Sequence, residues 1–230
     1  MINKKVNINI RFTEKKYNFQ SKSEVIMKAL IINGSVHKDG TTKRALTEFR
    51  DQLEKGGLEC TVYDIAKETR GCMGCYGCKK SGKCVIDDDV NRLAGLFREA
   101  DALIIGSPVY YASPSGALLS LLDRLFMSTS FDKRMKVGAA VVVARRGGLS
   151  ASYDAINKYF GISGMPIATS SYWNQLHGKN AAEAEEDLEG LATMRNLGRN
   201  IVFLAKSIAL GKESFGIPHA ESKIHTNFIR

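Results

Sequence analysis

The feature that most constrains the fold is an alternation of short, wholly apolar runs with longer amphipathic stretches. Three such runs are ALIIN at 29–33, ALIIGS at 102–107 and VGAAVVVA at 137–144. Strands that are apolar throughout are buried on both faces, and intervening helices make neighbouring strands parallel. At 230 residues the chain is long enough for one such domain. We therefore predict an α/β fold with a doubly wound parallel sheet.

The remaining elements are placed by the same pattern. Strands are predicted over residues 28–33, 58–64, 102–107, 136–144 and 163–170. Helices are predicted over residues 41–55, 87–100, 114–127, 149–160 and 181–210. These elements define a predicted domain at 27–210, followed by a C-terminal tail at 211–230.

Residues 1–26 form a polar, basic segment ahead of the first predicted strand. They carry six Lys or Arg and two Asp or Glu, and so account for much of the formal net charge of +9. We predict that this N-terminal extension is poorly ordered. Because the chain has no block of basic residues and no nucleic-acid motif, no nucleic-acid partner is predicted.

Hydropathy and cysteine usage indicate the compartment. No apolar run reaches the roughly 18 residues of a membrane span, and the N-terminus lacks the order of a secretory signal. We predict a cytoplasmic protein with no membrane partner. In a reducing compartment, clustered cysteines bind metal or take part in redox chemistry more often than they form disulfides.

Four of the five cysteines crowd into one short run, GCMGCYGCKKSGKC, with the spacing C-x2-C-x2-C-x5-C. They are Cys72, Cys75, Cys78 and Cys84, within a predicted loop at 71–88. Thiols three residues apart can surround one inorganic cluster from a single loop. An iron–sulfur cluster is therefore the favoured interpretation, whereas the lone Cys60 is predicted to be a small buried residue.

Two alternatives remain for these cysteines. Zinc is one, although four-thiolate zinc sites usually place a longer loop between two C-x-x-C pairs. A redox-active thiol pair involving Cys75 or Cys78 is the other. It is less favoured because no helix is predicted to begin at the motif and activate a thiol.

The loop after the first strand, NGSVHKDGTTKRAL, combines hydroxyl groups with a predicted helix start. Free backbone N–H groups and the helix dipole can bind a phosphate there. The loop matches neither G-x-G-x-x-G nor G-x-x-x-x-G-K-[ST], which disfavours nucleoside triphosphates. The alternative is an ordinary helix start capped by Thr41 or Thr42.

Two further loops follow the third and fourth strands. GSPVYYASPSG carries two adjacent tyrosines, which suit a flat aromatic ligand, and ARRGG carries a pair of arginines with a pair of glycines. In doubly wound sheets, ligands bind outside the carboxyl ends of the strands. The three loops are therefore predicted to share one site.

Together these pieces resemble the flavodoxin-like NADPH-dependent FMN reductase superfamily, and within it the iron–sulfur flavoproteins. The resemblance runs from residue 27 to about residue 205. It implies a flavodoxin-like three-layer sandwich with a five-stranded sheet in the order 2-1-3-4-5. It implies a [4Fe–4S] cluster on Cys72, Cys75, Cys78 and Cys84, and FMN bound by Ser35, His37, Gly40, Thr41, Thr42, Pro108, Val109, Tyr110, Tyr111, Ser113, Arg146, Gly147 and Gly148.

The resemblance implies an FMN-dependent oxidoreductase in which the cluster passes single electrons to FMN. The donor would be a ferredoxin-like protein or NAD(P)H, the acceptor a quinone or an oxygen species, and the assembly a homodimer or homotetramer. A clusterless NAD(P)H-dependent FMN or quinone reductase is the alternative, and a zinc-stabilised binding module is a third hypothesis. No catalytic acid or base is predicted, because such cofactors carry the chemistry.

Two other sequence features receive ordinary structural interpretations. His177 stands apart from any cysteine or carboxylate pattern and is predicted to be a hydrogen-bonded loop residue. The acidic residues between 183 and 189 are predicted to form a solvated helix start, where carboxylates complement the helix dipole.

Overall fold

The computed structural model describes residues 26–222 together with 224, 226 and 228. Within these residues the strands are β1 Met27–Asn33, β2 Leu58–Asp64, β3 Ala102–Tyr110, β4 Ser113–Pro114, β5 Val137–Ala144 and β6 Gln175–His177. The helices are α1 Thr41–Lys55, α2 Gly77–Ser81, α3 Asp89–Glu99, α4 Gly116–Ser128, α5 Leu149–Ile162, α6 Ala181–Ala184 and α7 Leu188–Phe215. Over this part of the chain, no helix combines the length and apolarity needed to cross a membrane.

The sheet has the order β2-β1-β3-β5-β6, and every neighbouring pair along this path is parallel. With all six strands numbered, the order is 2-1-3-5-6 rather than the predicted 2-1-3-4-5, and the two agree only when β4 is left out and the five parallel strands are compared. The sheet also contains β4, a two-residue strand that was not predicted and that pairs antiparallel with the end of β3. The α/β flavodoxin-like class is confirmed, with this hairpin as an addition.

Helices cover both faces of the sheet and produce two separate apolar cores. On one face Ile31 and Ile104 pack with α1 and α7. On the other face Leu30 and Ile105 pack with α3, α4 and α5. Adjacent residues of a strand point to opposite faces, so continuous apolar runs are what a sheet covered on both sides requires.

The fifth parallel strand lies further along the chain than predicted. Residues 163–170 do not form a strand and contribute only a bridge between Ile167 and Gly138 near the start of β5. Gly164 is in the left-handed conformation, and Pro166 lacks an N–H group for a ladder. The chain therefore leaves the sheet and returns as β6 beside the carboxyl end of β5.

The last predicted helix, 181–210, is two helices, α6 and α7, and α7 continues to Phe215. Asp187 lies between the two helices and is the N-cap of α7. Its Oδ1 accepts the N–H of Gly190 at 2.9 Å, and its Oδ2 accepts the N–H of His177 at 2.7 Å. His177 thus ends β6 as a hydrogen-bonded strand residue. The predicted poor order of residues 1–26 lies outside the described residues, apart from Ile26.

Gly138 in β5 gives a stability prediction. A Cβ atom at this position would lie 2.5 Å from Cγ of the buried Phe160 ring. Overpacking of this kind costs about 1–3 kcal/mol, so Gly138→Ala should lower the free energy of unfolding by that amount in guanidinium titrations. Gly95→Ala is the matched control, because open space surrounds Gly95 on α3, and it should be neutral or stabilising. Equal stability of Gly138→Ala and wild type would contradict the packing.

Candidate functional site

The loops that follow β1, β3, β5 and β6 line one cleft of about 620 Å³ at the carboxyl edge of the sheet. Eight of the predicted cofactor residues line it, namely Ser35, His37, Gly40, Thr41, Thr42, Pro108, Val109 and Tyr110. These eight residues come from two of the three predicted loops, and the third loop, ARRGG, contributes Arg145 to the cleft. Its size suits a ligand larger than a phosphate ion.

The start of α1 forms one end of the cleft. The helix is capped by Gly40, without a side-chain cap and without an acidic residue in the first turn. Thr41 and Thr42 are the first helical residues rather than caps, and Thr42 is only 2% exposed. Backbone N–H groups at a helix start carry partial positive charge and bind anions. This end of the cleft can therefore accept a phosphate group.

The first loop is held in place by neighbouring strands. The Ser35 N–H donates to Asn33 Oδ1 at 3.1 Å, and Asn33 Nδ2 donates to Asp64 Oδ1 at 2.9 Å. The Ser115 hydroxyl donates to the Gly34 carbonyl at 2.7 Å. These bonds couple the loop to β2 and to the start of α4, so the anion-binding end is preorganised.

The β3–β4 hairpin forms a second wall. Its two turn residues, Tyr111 and Ala112, have φ values of 50° and 57°. Turns of this kind favour Asn and Gly, so two other residues in this conformation indicate local strain, which is common at functional sites. Tyr111 projects into solvent with 107% relative exposure and does not line the cleft, whereas Tyr110 does.

Gly148 supports this hairpin from behind. It has φ of 87°, and a Cβ atom there would lie 2.8 Å from Cα of Ala112. Five of the predicted cofactor residues do not line the cleft, namely Tyr111, Ser113, Arg146, Gly147 and Gly148. Arg145 is the arginine of this loop that lines the cleft.

Sequence reasoning missed a further wall of the cleft. Gly178, Lys179 and Asn180 follow β6 and line the cleft, and the Gly178 carbonyl accepts the Thr41 hydroxyl at 3.2 Å. These residues were overlooked because the fifth strand was predicted too early. A correct prediction of β6 would have identified them, since they follow the carboxyl end of a parallel strand as the other lining loops do.

The four clustered cysteines line a second cavity, beside α4. All four are free thiols. Gly74, Tyr76 and Gly82 adopt left-handed conformations that fold the loop tightly, and α2 forms within it, contrary to the expectation that no helix begins at the motif. Among the described residues, no three His, Cys, Asp or Glu side chains converge closely enough to hold a single metal ion.

Cys60 lies apart from this cavity in β2 and is half buried. Burial raises the pKa of its thiol to about 12, and a nearby glutamate, Glu54, acts in the same direction. A thiol of that pKa is almost fully protonated at neutral pH and a poor nucleophile or ligand. Cys60 was predicted to be a small buried residue, and in the structure it is only partly buried.

Arg124 is a buried cation at the cysteine cavity that sequence reasoning missed. It is 2% exposed, and its Nε and Nη2 atoms each lie 3.4 Å from Cys84 Sγ. Its guanidinium also binds both carboxylate oxygens of Asp88, at 2.6 and 2.8 Å. Hydrogen bonding within this pair raises the pKa of Arg124 and lowers that of Asp88. The available signal was a charged residue within the apolar helix LLSLLDRLF.

Helix α4 connects the two sites. It begins directly after the β3–β4 hairpin, and Arg124 lies eight residues further on, about 12 Å along the helix axis. An open groove of about 940 Å³ runs between the start of α4 and the cysteine loop, where Met73, Asp88 and Gly116 line it. The cleft and the cysteine cavity share no lining residue, and α4 runs from the end of the hairpin to Arg124 at the cysteine cavity.

Residues 27–178 match the model of a protein family described as NADPH-dependent FMN reductase. The chain belongs to this family. As an NADPH-dependent FMN reductase family member it is a flavin-dependent oxidoreductase, and the family supports FMN as its flavin.

Curated relatives of this family member include iron–sulfur flavoproteins. One from Methanocaldococcus jannaschii is 36% identical over 191 residues, which cover 79% of this chain and 99% of the relative. Another, from Methanosarcina thermophila, is 29% identical over 180 residues, which cover 76% of this chain and 93% of the relative. The similarity thus extends over nearly the whole of both relatives.

Solved structures share the fold of this family member. RosB, with a bound 8-demethyl-8-formylriboflavin-5'-phosphate intermediate, superposes with a TM-score of 0.62 at 19% identity, covering 89% of this chain and 94% of RosB. An NAD(P)H:quinone oxidoreductase from Methanothermobacter marburgensis gives 0.60 at 16% identity, covering 76% of this chain and 97% of its own. At these identities the likeness confirms the flavodoxin-like fold.

Proposed function

We propose that the protein is an FMN-dependent electron-transfer oxidoreductase with two redox sites. The cleft binds FMN, and Cys72, Cys75, Cys78 and Cys84 bind a [4Fe–4S] cluster. The observation that carries the proposal is that all four thiols of the motif line one cavity, on a loop separate from the cleft. Relatives named iron–sulfur flavoproteins support the same assignment.

The cleft residues fit FMN. The start of α1 offers backbone N–H groups and a positive dipole end to the phosphate, and the buried side chains of Ser35, Thr41 and Thr42 line this end of the cleft. Pro108, Val109 and Tyr110 offer a stiff, largely apolar wall to a flat ring, and Arg145 brings a cation to the same cleft. The hairpin residues Tyr111 and Ser113, with Arg146, Gly147 and Gly148, remain proposed contacts at the edge of this site.

The cysteine cavity offers the set of four thiols that a [4Fe–4S] cluster takes as ligands. One zinc ion requires four thiolates at about 2.3 Å from a common centre. A cluster of four irons accepts one thiolate at each iron, and four thiols line this cavity. Arg124 at the cavity, and the lysines of the motif at 79, 80 and 83, offset the negative charge of four thiolates.

The pairing of the two sites suggests the reaction. When bound, the cluster supplies one-electron transfer and FMN supplies storage of two electrons. We propose a ferredoxin-like protein or NAD(P)H as donor, and a quinone or an oxygen species as acceptor. The protein would act in the cytoplasm as a homodimer or homotetramer.

The content of iron, acid-labile sulfide and flavin in the purified protein tests the proposal. Protein purified without oxygen should contain about four irons, about four acid-labile sulfides and about one FMN per chain, with a broad absorption near 400 nm under the flavin bands. Zinc in place of iron and sulfide would support the zinc hypothesis. FMN with none of these metals would instead identify a clusterless reductase.

A clusterless NAD(P)H-dependent FMN or quinone reductase is the second candidate. The description of the matching family model favours it, as does the lack of an ion-sized ligand group among the described residues. Steady-state NADPH oxidation by Cys78→Ser separates the two. A rate equal to wild type would favour the clusterless enzyme, whereas loss of ferredoxin-dependent turnover would favour the two-site enzyme.

A further inference from the structure

Arg124 makes an unusual set of bonds for a residue of an apolar helix face. Its neighbours Leu121, Leu122 and Leu125 on α4 are buried, and Arg124 is buried with them. Leaving a charge unpaired in such a place is costly, so a buried cation requires partners. Arg124 obtains them from the cysteine loop rather than from its own helix.

The guanidinium uses its donors in three directions. Nη1 and Nη2 bind the two carboxylate oxygens of Asp88. Nη1 also donates to the Arg70 carbonyl at 3.3 Å, and Nη2 to the Ile86 carbonyl at 3.2 Å. Nε and Nη2 face Cys84 Sγ. One side chain therefore ties both ends of the cysteine loop to α4 and aims positive charge at one thiol.

Asp88 is the matching negative charge, and its carboxylate accepts from Nη1 and Nη2 of the guanidinium. Asp88 also caps α3, because its Oδ1 accepts the Val90 N–H at 3.1 Å. The pair is thus a fixed dipole, held by a helix cap at one end and by α4 at the other. Its positive member bonds directly to Cys84, and its negative member partly cancels that charge.

We propose that Arg124 and Asp88 set the reduction potential of the iron–sulfur site through Cys84, with effects of opposite sign. This inference rests on the proposed function, because it requires a cluster on the four cysteines. Reduction adds one electron to the site and changes no covalent bond. Hydrogen bonds and positive charge at a ligand sulfur stabilise the more negative, reduced state and so raise the potential. The Asp88 carboxylate opposes this effect.

Potentiometric titration without oxygen, followed by absorbance and by EPR of the reduced cluster, tests the inference. In Arg124→Gln the ratio of reduced to oxidised cluster, measured at the wild-type midpoint, should fall at least about tenfold, a shift of about 59 mV for one electron. In Asp88→Asn the ratio should rise, since asparagine retains the cap on α3 and removes the opposing charge. Arg124→Lys should lie between wild type and Arg124→Gln.

The opposite signs separate this role from a merely structural one. If the pair only held the loop together, both variants would loosen it and shift the midpoint in the same direction, which would overturn the inference. Arg92→Gln is the control, because Arg92 is an exposed arginine that pairs with Asp89 outside the cavity, and its midpoint should match wild type. If Arg124→Gln fails to fold, Asp88→Asn and Arg124→Lys, with their opposite shifts, complete the test.

Iron and sulfide analysis of the wild type distinguishes the two levels of failure. A wild type without iron and sulfide overturns the proposed function and the inference with it. A wild type that contains the cluster, with unchanged midpoints in the Arg124 and Asp88 variants, overturns the inference alone. FMN potentials measured in the same titrations should be unchanged, because the cleft uses other loops.

Discussion

Replacing Cys75 with serine should remove at least about nine-tenths of the protein-bound iron and sulfide while leaving FMN bound. Serine lacks the thiolate that the cluster requires, and Cys75 belongs to the loop that lines the cysteine cavity. The residues of the cleft belong to other loops, so the flavin should remain at about one per chain. Iron, acid-labile sulfide and flavin assays on one anaerobic sample measure both outcomes.

Cys60→Ser is the matched control for this prediction. Cys60 lies in β2 and does not line the cysteine cavity, so its variant should retain iron and sulfide at the wild-type level. Equal iron in the Cys75 variant and the wild type would exclude Cys75 as a ligand. Loss of FMN together with iron would contradict the separation of the two sites.

Thr42→Glu should weaken FMN binding at least about 100-fold. The new carboxylate would stand in the first turn of α1, where the buried Thr42 side chain meets the end of the cleft proposed for the phosphate. A negative charge there repels the phosphate dianion, and the new carboxylate is buried without a cationic partner. Each effect has a free-energy cost of up to several kcal/mol. Fluorescence titration of the flavin-free protein with FMN measures the dissociation constant.

Thr47→Glu provides the control on the same helix. Its hydroxyl bonds to the Lys43 carbonyl within α1, and it does not line the cleft. Its FMN affinity should remain within about threefold of wild type, and Thr42→Ser should behave similarly because it keeps the hydroxyl. Tight FMN binding by Thr42→Glu would remove the start of α1 from the phosphate site.

The sheet was largely predictable because burial on both faces requires continuous apolar strands. Residues 29–33, 102–107 and 137–144 have that pattern, and all three lie in central strands. The edge strand β6 is only three residues long, Gln175–His177, and its apolar signal is weaker than that of residues 163–170. The competing segment fails as a strand because Gly164 and Pro166 interrupt it, which a hydropathy pattern does not register.

The candidate site divides in the same way. The first loop and the end of β3 both lie at the carboxyl edge of the sheet, so topology alone brings Thr42 and Tyr110 to one cleft. The contacts of Arg124 with Cys84 and Asp88 span 40 and 36 residues of sequence. They depend on how the cysteine loop packs against α4, and no local sequence pattern predicts that long-range packing. A charged residue in an apolar helix was the only local sign.

Counting electrons in an anaerobic reductive titration tests the central claim most directly. If each chain holds FMN and a cluster, complete reduction should consume about three electrons, two at the flavin and one at the cluster. The Cys75→Ser variant should then consume about two. Uptake of about two electrons by a wild type with full flavin content would contradict a second redox site on this chain.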